Sequence, residues 1–130
     1  MILVESSAWI EYLRGTGSPA NVEVRRLLDA DIGVTEAVVM EVLAGARGEG
    51  HLAGVRGLLA RAHILPCEWT DWLYAVHLYR QCRAGGETVR GLLDCLIGAV
   101  AIRHDVPVLH HDRDFDVLAR HTGLTVHQPG

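Results

Sequence analysis

The sequence has 130 residues, of which 49% are hydrophobic and 22% are charged, and its formal net charge is −4. This composition excludes a disordered chain, and the length predicts one domain over residues 1–130 that folds without a disulfide or a structural metal. No apolar run approaches the ~18 residues of a membrane span, and the amino terminus does not have the pattern of a signal peptide. The three cysteines form no CxxC motif, so we expect a cytoplasmic protein with no membrane partner.

Short apolar runs alternate with amphipathic segments along the chain. The pattern predicts, in chain order, a strand at 1–5, helices at 7–14 and 18–29, a strand at 31–35, helices at 36–47 and 51–62, an extended segment at 63–66, helices at 70–86 and 91–105, a strand at 106–112, a helix at 113–123 and a strand at 124–128. Ser6 or Ser7 is expected to cap the first helix, Ser18 the second and Thr70 the fifth. Strands separated by helices pair in parallel, which predicts an α/β fold, a three-layer α/β/α sandwich with a parallel central sheet.

Carboxylates follow two of the predicted strands and interrupt two of the apolar helices. Glu5 ends the first strand, and Asp112 and Asp114 come just after the strand VPVL. Glu41 lies within AVVMEVLAG and Asp94 within GLLDCLIGAVAIR, where an unpaired buried carboxylate would be costly. Because sites in open α/β sheets form beyond the carboxyl ends of the strands, these five acids are candidates for one shared site.

Each of these acids also has a purely structural explanation. Glu41 and Asp94 would each be satisfied by a buried arginine, for example Arg90 or Arg103. The acids after the strand VPVL would serve as helix caps, and the acid after the first strand would be a solvated strand end. These explanations together require separate coincidences, whereas a shared site requires only one.

If the carboxylates converge, their repulsion requires a bound proton or cation. Two carboxylates ~4 Å apart repel by about 1–4 kcal/mol, depending on the effective dielectric constant. Clustered oxygen ligands suit Mg²⁺ or Mn²⁺, whereas a zinc site at His110 and His111 would need partners at a recognisable spacing, and the sequence offers none. The expected ligands of Mg²⁺ (or Mn²⁺) are Glu5, Asp94, Asp112 and Asp114.

At these residues the chain resembles the PIN domain, and more closely the VapC toxins of bacterial toxin–antitoxin pairs. The resemblance covers nearly the whole chain through the blocks MILVESSAWIEYL, VVMEVLAG, TVRGLLDCLIGAVAIR and VLHHDRDFDVLA. It implies a parallel-sheet α/β fold, a Mg²⁺- or Mn²⁺-dependent endoribonuclease acting on tRNA or rRNA, and a neutralising VapB-type antitoxin. It maps Ser7 onto the hydroxyl residue that helps to hold the site. The implied catalytic acids are Glu5, Glu41, Asp94, Asp112 and Asp114, with Glu41 as the residue that positions or deprotonates the attacking water.

One position departs from the family, whose first acid is ordinarily Asp where this chain has Glu5. The additional methylene pushes the carboxylate away from the strand and can displace a metal that demands octahedral geometry. A natural variant that still works, a weakened paralogue and a substitution made to reduce toxicity are all open explanations. An inactive PIN domain that serves as a binding module is therefore the alternative function. A phosphoacceptor receiver domain is disfavoured because it uses a lysine and this sequence has none, and a small-molecule phosphatase has no evident pocket.

Arginine and aromatic residues supply the remaining candidates. Arg90 precedes Asp94 by one helical turn and is expected to position that carboxylate without binding the metal itself, or to contact phosphate. The candidate RNA contacts are Arg80, Arg83 and Arg113, whose alternative is a solvated helix end. The segments AWIEYL and WLYAVHLY are rich in large apolar groups and predict an interface, for a homodimer and for an antitoxin helix.

Overall fold

A parallel sheet lies at the centre of the computed structural model, which describes residues 1–129. Within these residues four strands are arranged in the order β3-β2-β1-β4, namely β1 Ile2–Val4, β2 Ile32–Val34, β3 His63–Ile64 and β4 Val108–Leu109. The helices that flank them are α1 Ser6–Arg14, α2 Pro19–Leu27, α3 Glu36–Ala44, α4 Glu49–Leu59, α5 Trp69–Ala84, α6 Leu92–His104 and α7 Arg113–His121. The expected α/β/α sandwich around a parallel sheet is confirmed.

The central strand is β1, which pairs with β2 on one side and with β4 on the other. Leu3 lies opposite Gly33 of β2 and Val108 of β4. The strands β1, β2 and β4 are short and apolar, as expected of a sheet that is covered on both faces. Because β1 is central, the residue that follows it, Glu5, emerges in the middle of the carboxyl edge of the sheet.

The last predicted strand, at 124–128, is wrong as drawn. Those residues form only an isolated parallel bridge between Val108 and Val126, supported by hydrogen bonds from Val108 N to the Thr125 carbonyl and from His127 N to the Val108 carbonyl. The segment is a single edge contact beside β4 and not a fifth strand.

Two predicted helix caps are also wrong. The cap of α1 is Glu5, whose carboxylate accepts from the main-chain N–H of Ser7, instead of either serine. Helix α5 begins at Trp69 and is capped by Glu68, whose N–H donates to Asp71, so Thr70 lies inside the helix. In both cases a carboxylate one or two positions before the expected cap replaces the hydroxyl. Ser18 caps α2 as expected.

The core contains α6 and part of α1, whereas α5 leaves large apolar side chains in solvent. The α6 segment 95–101 is buried throughout, which confirms the prediction from its apolar composition. Trp9 is fully buried and its Nε1 donates to the Val4 carbonyl at 3.0 Å, so it belongs to the core and not to an interface. On α5, in contrast, Trp69 is 72% exposed and Trp72 is 53% exposed.

Two further expectations concern the membrane and the cysteines. Among the helices of residues 1–129, none is long and apolar enough to cross a bilayer. The three cysteines in that range are unpaired.

Candidate active site

Three aspartates meet beyond the carboxyl edge of the sheet. Asp112 and Asp114 follow β4, and Asp94 comes from the first turn of α6. Each offers a carboxylate oxygen, and these oxygens all lie within 4.8 Å of one another. Asp112 is also the N-cap of α7, where it accepts from the main-chain N–H of Asp114 at 2.9 Å. The capping explanation and the shared site therefore both hold for this residue.

Asp94 and Asp114 carry unequal affinities for a proton. Burial is the main cause that raises the pKa of Asp94, to about 8, and a hydrogen bond with Asp114 and the nearby charges of Glu5 and Asp112 raise it further. Burial also acts to raise the pKa of Asp114, but hydrogen bonds from Asp94 and from Arg90 outweigh it, so that this pKa lies below its usual value. At neutral pH, and with no cation bound, Asp94 holds the proton and Asp114 is the anion.

Glu5 is buried beside this cluster, with 3% of its surface exposed, so it is not a solvated strand end. Its Oε2 accepts from the Ser7 main-chain N–H at 2.9 Å and from the Ser7 hydroxyl. Burial raises its pKa to about 7 against these hydrogen bonds, and the charges of Glu41 and Asp112 add to the increase. The carboxylate of Glu5 is therefore close enough for the charges of Glu41 and Asp112 to raise its pKa. Its hydrogen bonds hold it at the start of α1.

Two consecutive serines connect the site to distant parts of the chain. The Ser7 hydroxyl accepts from the main-chain N–H of His111 at 2.7 Å, in the segment between β4 and α7. The Ser6 hydroxyl donates to Glu41 Oε1, also at 2.7 Å. The sequence predicts Ser6 as a helix cap and a support for the site, but its specific pairing with Glu41 has no signal in a single sequence. Among the described residues no arginine forms an ion pair with Glu41, so that explanation is wrong.

Arg90 contacts the two aspartates that follow β4. Its Nη2 donates to Asp112 Oδ1 at 3.1 Å and its Nε donates to Asp114 Oδ1 at 3.3 Å. The main-chain N–H groups of Arg90 and Gly91 also donate to Asp114 Oδ2, at 3.2 and 3.3 Å. The expected partner Asp94 is wrong because residues 85–91 are not helical, so the one-turn spacing does not apply. Arg103 pairs instead with Asp71, at 2.9 Å.

The candidate RNA-contacting arginines lie outside this network. Arg80 and Arg83 line a shallow depression of about 320 Å³ near the end of α5, where the Arg83 guanidinium lies 5.8 Å from the ring centre of Tyr79. Arg113 is exposed at the first residue of α7. Within residues 1–129 no ion pair connects these three arginines to the aspartates.

The donor set fits a hard divalent cation. Its three members supply only carboxylate oxygens, the ligands that Mg²⁺ and Mn²⁺ prefer. The neighbouring imidazole of His110 is already engaged, because its Nδ1 accepts from Asp112 N at 3.0 Å and its Nε2 lies 3.3 Å from Asp116 Oδ1. The three aspartates can therefore bind a cation, which would displace the proton of Asp94. One arginine, Arg90, lies at the edge of the cluster.

Comparison with known proteins gives the chain its relatives. The family model described as PIN domain matches residues 2–121. The chain is 46% identical over 128 residues to ribonuclease VapC11 of Mycobacterium tuberculosis and to a VapC ribonuclease of Mycobacterium bovis, which covers 95% of this chain and 96% of each relative. Its fold is similar to that of VapBC2 from Rickettsia felis bound to a promoter DNA fragment, with a TM-score of 0.77, 16% identity and 98% of both chains covered. A DNA-bound VapBC from Salmonella typhimurium has a TM-score of 0.75 at 15% identity, covering 97% of this chain and 96% of that one.

Proposed function

The chain belongs to the PIN domain family, and from that membership we infer that it is an endoribonuclease toxin of a VapBC toxin–antitoxin pair. The relatives that are 46% identical to this chain are ribonucleases, and the match covers 96% of each. The observation that carries the inference is the convergence of Asp94, Asp112 and Asp114 within 4.8 Å in a chain with those relatives. We propose a single PIN-like domain over residues 1–130, acting on RNA in the cytoplasm.

We propose that Mg²⁺ or Mn²⁺ is the cofactor and that the three clustered aspartates hold it, with Glu5 as a further ligand. When bound, such an ion lowers the pKa of a water molecule and stabilises the charge that develops on the phosphate. Both Asp94 and Glu5 must lose a proton to become ligands, because the pKa values of their carboxyl groups are raised. Cation binding is therefore expected to release protons at neutral pH.

The residues around the cluster have roles that follow from their contacts. Glu41 is held by the Ser6 hydroxyl through Oε1, and in the described chain its Oε2 has no hydrogen bond, so that oxygen can accept the proton of the attacking water. Ser7 keeps Glu5 and the His111 main chain together. Arg90 orients Asp112 and Asp114, and its guanidinium lies where it can also donate to a phosphate oxygen.

A binding module without catalysis is the second candidate function, and the orientation of Glu5 favours it. Both hydrogen bonds to this side chain end on Oε2 and hold it against the first turn of α1. A carboxylate held there is a weaker ligand than one directed at the three aspartates. The two candidates differ in one property, since only the enzyme hydrolyses RNA.

The partners we propose are a VapB-type antitoxin and a second copy of the chain. The structurally similar VapBC proteins are described as bound to DNA, and another structural neighbour is described as a toxin–antitoxin complex from Klebsiella pneumoniae. The second copy has a suitable surface in the groove between α3, α5 and α6, about 530 Å³ in volume, which Met40, Trp69, Trp72 and Leu93 line. We propose that this groove, here called the aromatic groove, is the homodimer surface.

The test is hydrolysis of a labelled structured RNA in Mn²⁺, with and without EDTA. We expect EDTA-sensitive cleavage by the parent chain and a loss of at least about 100-fold in Asp94→Asn, more than removal of an outer-shell partner usually costs. Asp29→Asn is the matched control because Asp29 is an exposed aspartate outside the cluster whose ion-pair partner, Arg61, is also exposed. Mn²⁺-dependent thermal stabilisation without any cleavage would favour the binding module instead.

A further inference from the structure

A second groove, here called the basic groove, lies between α1, α3 and α4. Its volume is about 430 Å³, and aliphatic side chains of the three helices line part of it. Arg14, Arg47 and His51 also line it, as does Glu41. Because Glu41 is hydrogen-bonded to Ser6, next to Glu5, the groove begins at the acid site and leads away from it. A chain that reaches the acids along this side must pass the three basic residues.

The two arginines of this groove form no ion pair with a carboxylate in the part of the chain that the structure describes. Among residues 1–129 no ion pair involves Arg14 or Arg47, whereas Arg90, Arg103 and Arg120 each form at least one. Arg14 lies in the last turn of α1, where the helix dipole alone would explain a cation. That explanation does not extend to Arg47, which lies in the turn between α3 and α4. Two guanidinium groups without an ion pair in the described chain thus reach one groove from separate elements.

His51 adds a hydrogen-bond donor to the same surface. Its Nδ1 accepts from the main-chain N–H of Arg47 at 3.0 Å. A neutral imidazole with Nδ1 as the acceptor carries its proton on Nε2, so the free edge of the ring is a donor. The basic groove therefore has three hydrogen-bond donors that can bind an anion, and Glu41 lies at its acidic end.

We propose that the basic groove is the path of the RNA backbone to the acid site, with Arg14, Arg47 and His51 contacting phosphates on one side of the scissile bond. The proposal rests on the ribonuclease function proposed above. A cluster of carboxylates repels a polyanion, and nearby cations offset that repulsion along the approach. RNA supplies an anion at each nucleotide, which matches several basic groups along one groove, while the aliphatic surface between them suits the ribose and base faces.

The test measures binding separately from cleavage. An Asp94→Asn chain is titrated into a fluorescein-labelled single-stranded RNA of mixed sequence, and anisotropy is followed at several KCl concentrations. Addition of Arg14→Gln and Arg47→Gln is expected to weaken binding about tenfold at 100 mM KCl and to reduce the slope of log Kd against log salt by about 1.4, or 0.7 per lost phosphate contact. The matched control adds Arg25→Gln and Arg56→Gln, two exposed arginines outside the groove that also have no ion pair in the described chain. It should retain most of the slope.

The outcomes separate this proposal from the function on which it rests. An unchanged slope and affinity in the Arg14/Arg47 double variant, in a protein that cleaves RNA, would overturn the path alone. Equal losses in the double variant and in its control would also overturn it, because they would reflect only net charge. Unchanged RNA binding with weakened binding of an antitoxin peptide would assign the groove to protein docking. If the parent chain neither binds nor cleaves RNA, the ribonuclease function and the path both fail.

Discussion

Arg90 holds Asp114 from two sides, through its main-chain N–H at 3.2 Å and through its guanidinium Nε at 3.3 Å. The same guanidinium reaches Asp112. The guanidinium therefore lies beside two of the three carboxylates that we propose as cation ligands. The main-chain N–H holds Asp114 independently of the side chain. These two effects of one residue can be separated by mutation.

Replacement of Arg90 by Gln is expected to tighten Mn²⁺ binding by about threefold to tenfold, because it removes a unit charge a few ångströms from the ion and keeps the main-chain contact. RNA cleavage should decrease at saturating Mn²⁺, since a donor beside the phosphate is lost. Isothermal titration calorimetry measures the first effect. Arg25→Gln serves as the control because that arginine is exposed, is remote in sequence from the cluster and has no ion pair in the described chain. Weaker Mn²⁺ binding in Arg90→Gln would show that the guanidinium organises the ligands instead of competing with the ion.

Shortening Glu5 to Asp is expected to increase RNA cleavage several-fold. The shorter side chain can still accept from the Ser7 N–H at the start of α1, since Asp is a preferred N-cap, and it brings the carboxylate nearer to the strand end. The increase should appear in kcat at saturating Mn²⁺, with the melting temperature nearly unchanged. Unchanged activity would mean that the additional methylene of Glu5 does not impair catalysis. Glu5→Gln is the companion variant, which keeps the length and removes the charge.

The metal-free protein is expected to lose stability as the pH rises from about 5 to 8. Burial raises the pKa of Asp94 to about 8 and that of Glu5 to about 7, so the folded chain keeps two protons that the unfolded chain has released. Their contribution is complete below pH ~4 and is lost as the pH passes the folded pKa values. After allowance for solvent screening we expect a loss of about 2 kcal/mol, or about 6 °C in melting temperature.

Melting curves in EDTA measure this effect, and Asp94→Asn isolates its larger part. In that variant the decrease between pH 5 and 8 should be smaller, because one of the two protonated groups is gone. Asp114 acts in the opposite sense, since its pKa is lowered, but its effect falls below pH ~4. Parallel curves for the parent and the variant would mean that Asp94 is ionised in the folded, metal-free protein.

The aromatic groove on α5 predicts a change in mass. Trp72→Glu places a charge where a second copy is proposed to pack, so a dimer should become a monomer at micromolar concentration. Light scattering after size-exclusion chromatography reports the mass directly. Val22→Glu is the matched control, because Val22 is a 58% exposed apolar residue that does not line the aromatic groove. A parent chain that is already monomeric would contradict the dimer.

The parts of the site that could be predicted were those with a local signature. Asp94 is a lone acid in an apolar helix, and Asp112 and Asp114 follow a buried strand, so both features are visible in a single sequence. The parallel sheet could also be predicted, because short apolar runs alternate with helices along the chain. A strand that is covered by helices on both faces is almost wholly apolar, so such runs indicate buried parallel strands.

The parts that could not be predicted depend on partners far away in the chain. Arg90 was assigned to Asp94 by helical spacing, but its segment is irregular and its partners lie 22 and 24 residues away. The hydrogen bond between Ser6 and Glu41 spans 35 residues. The large apolar side chain of Trp9 predicts an interface residue, but its indole is buried in the core and donates to the carbonyl of Val4 in β1. No local periodicity encodes these pairings.

The position of β4 beside the central strand has a consequence for how such an enzyme is made. Two of the three clustered aspartates belong to the stretch after β4, so a nascent chain released before residue 112 carries one carboxylate of the set and no complete cation pocket. A fragment that lacks the stretch after β4 is therefore expected to be inert in RNA hydrolysis, because that stretch supplies two of the three proposed cation ligands.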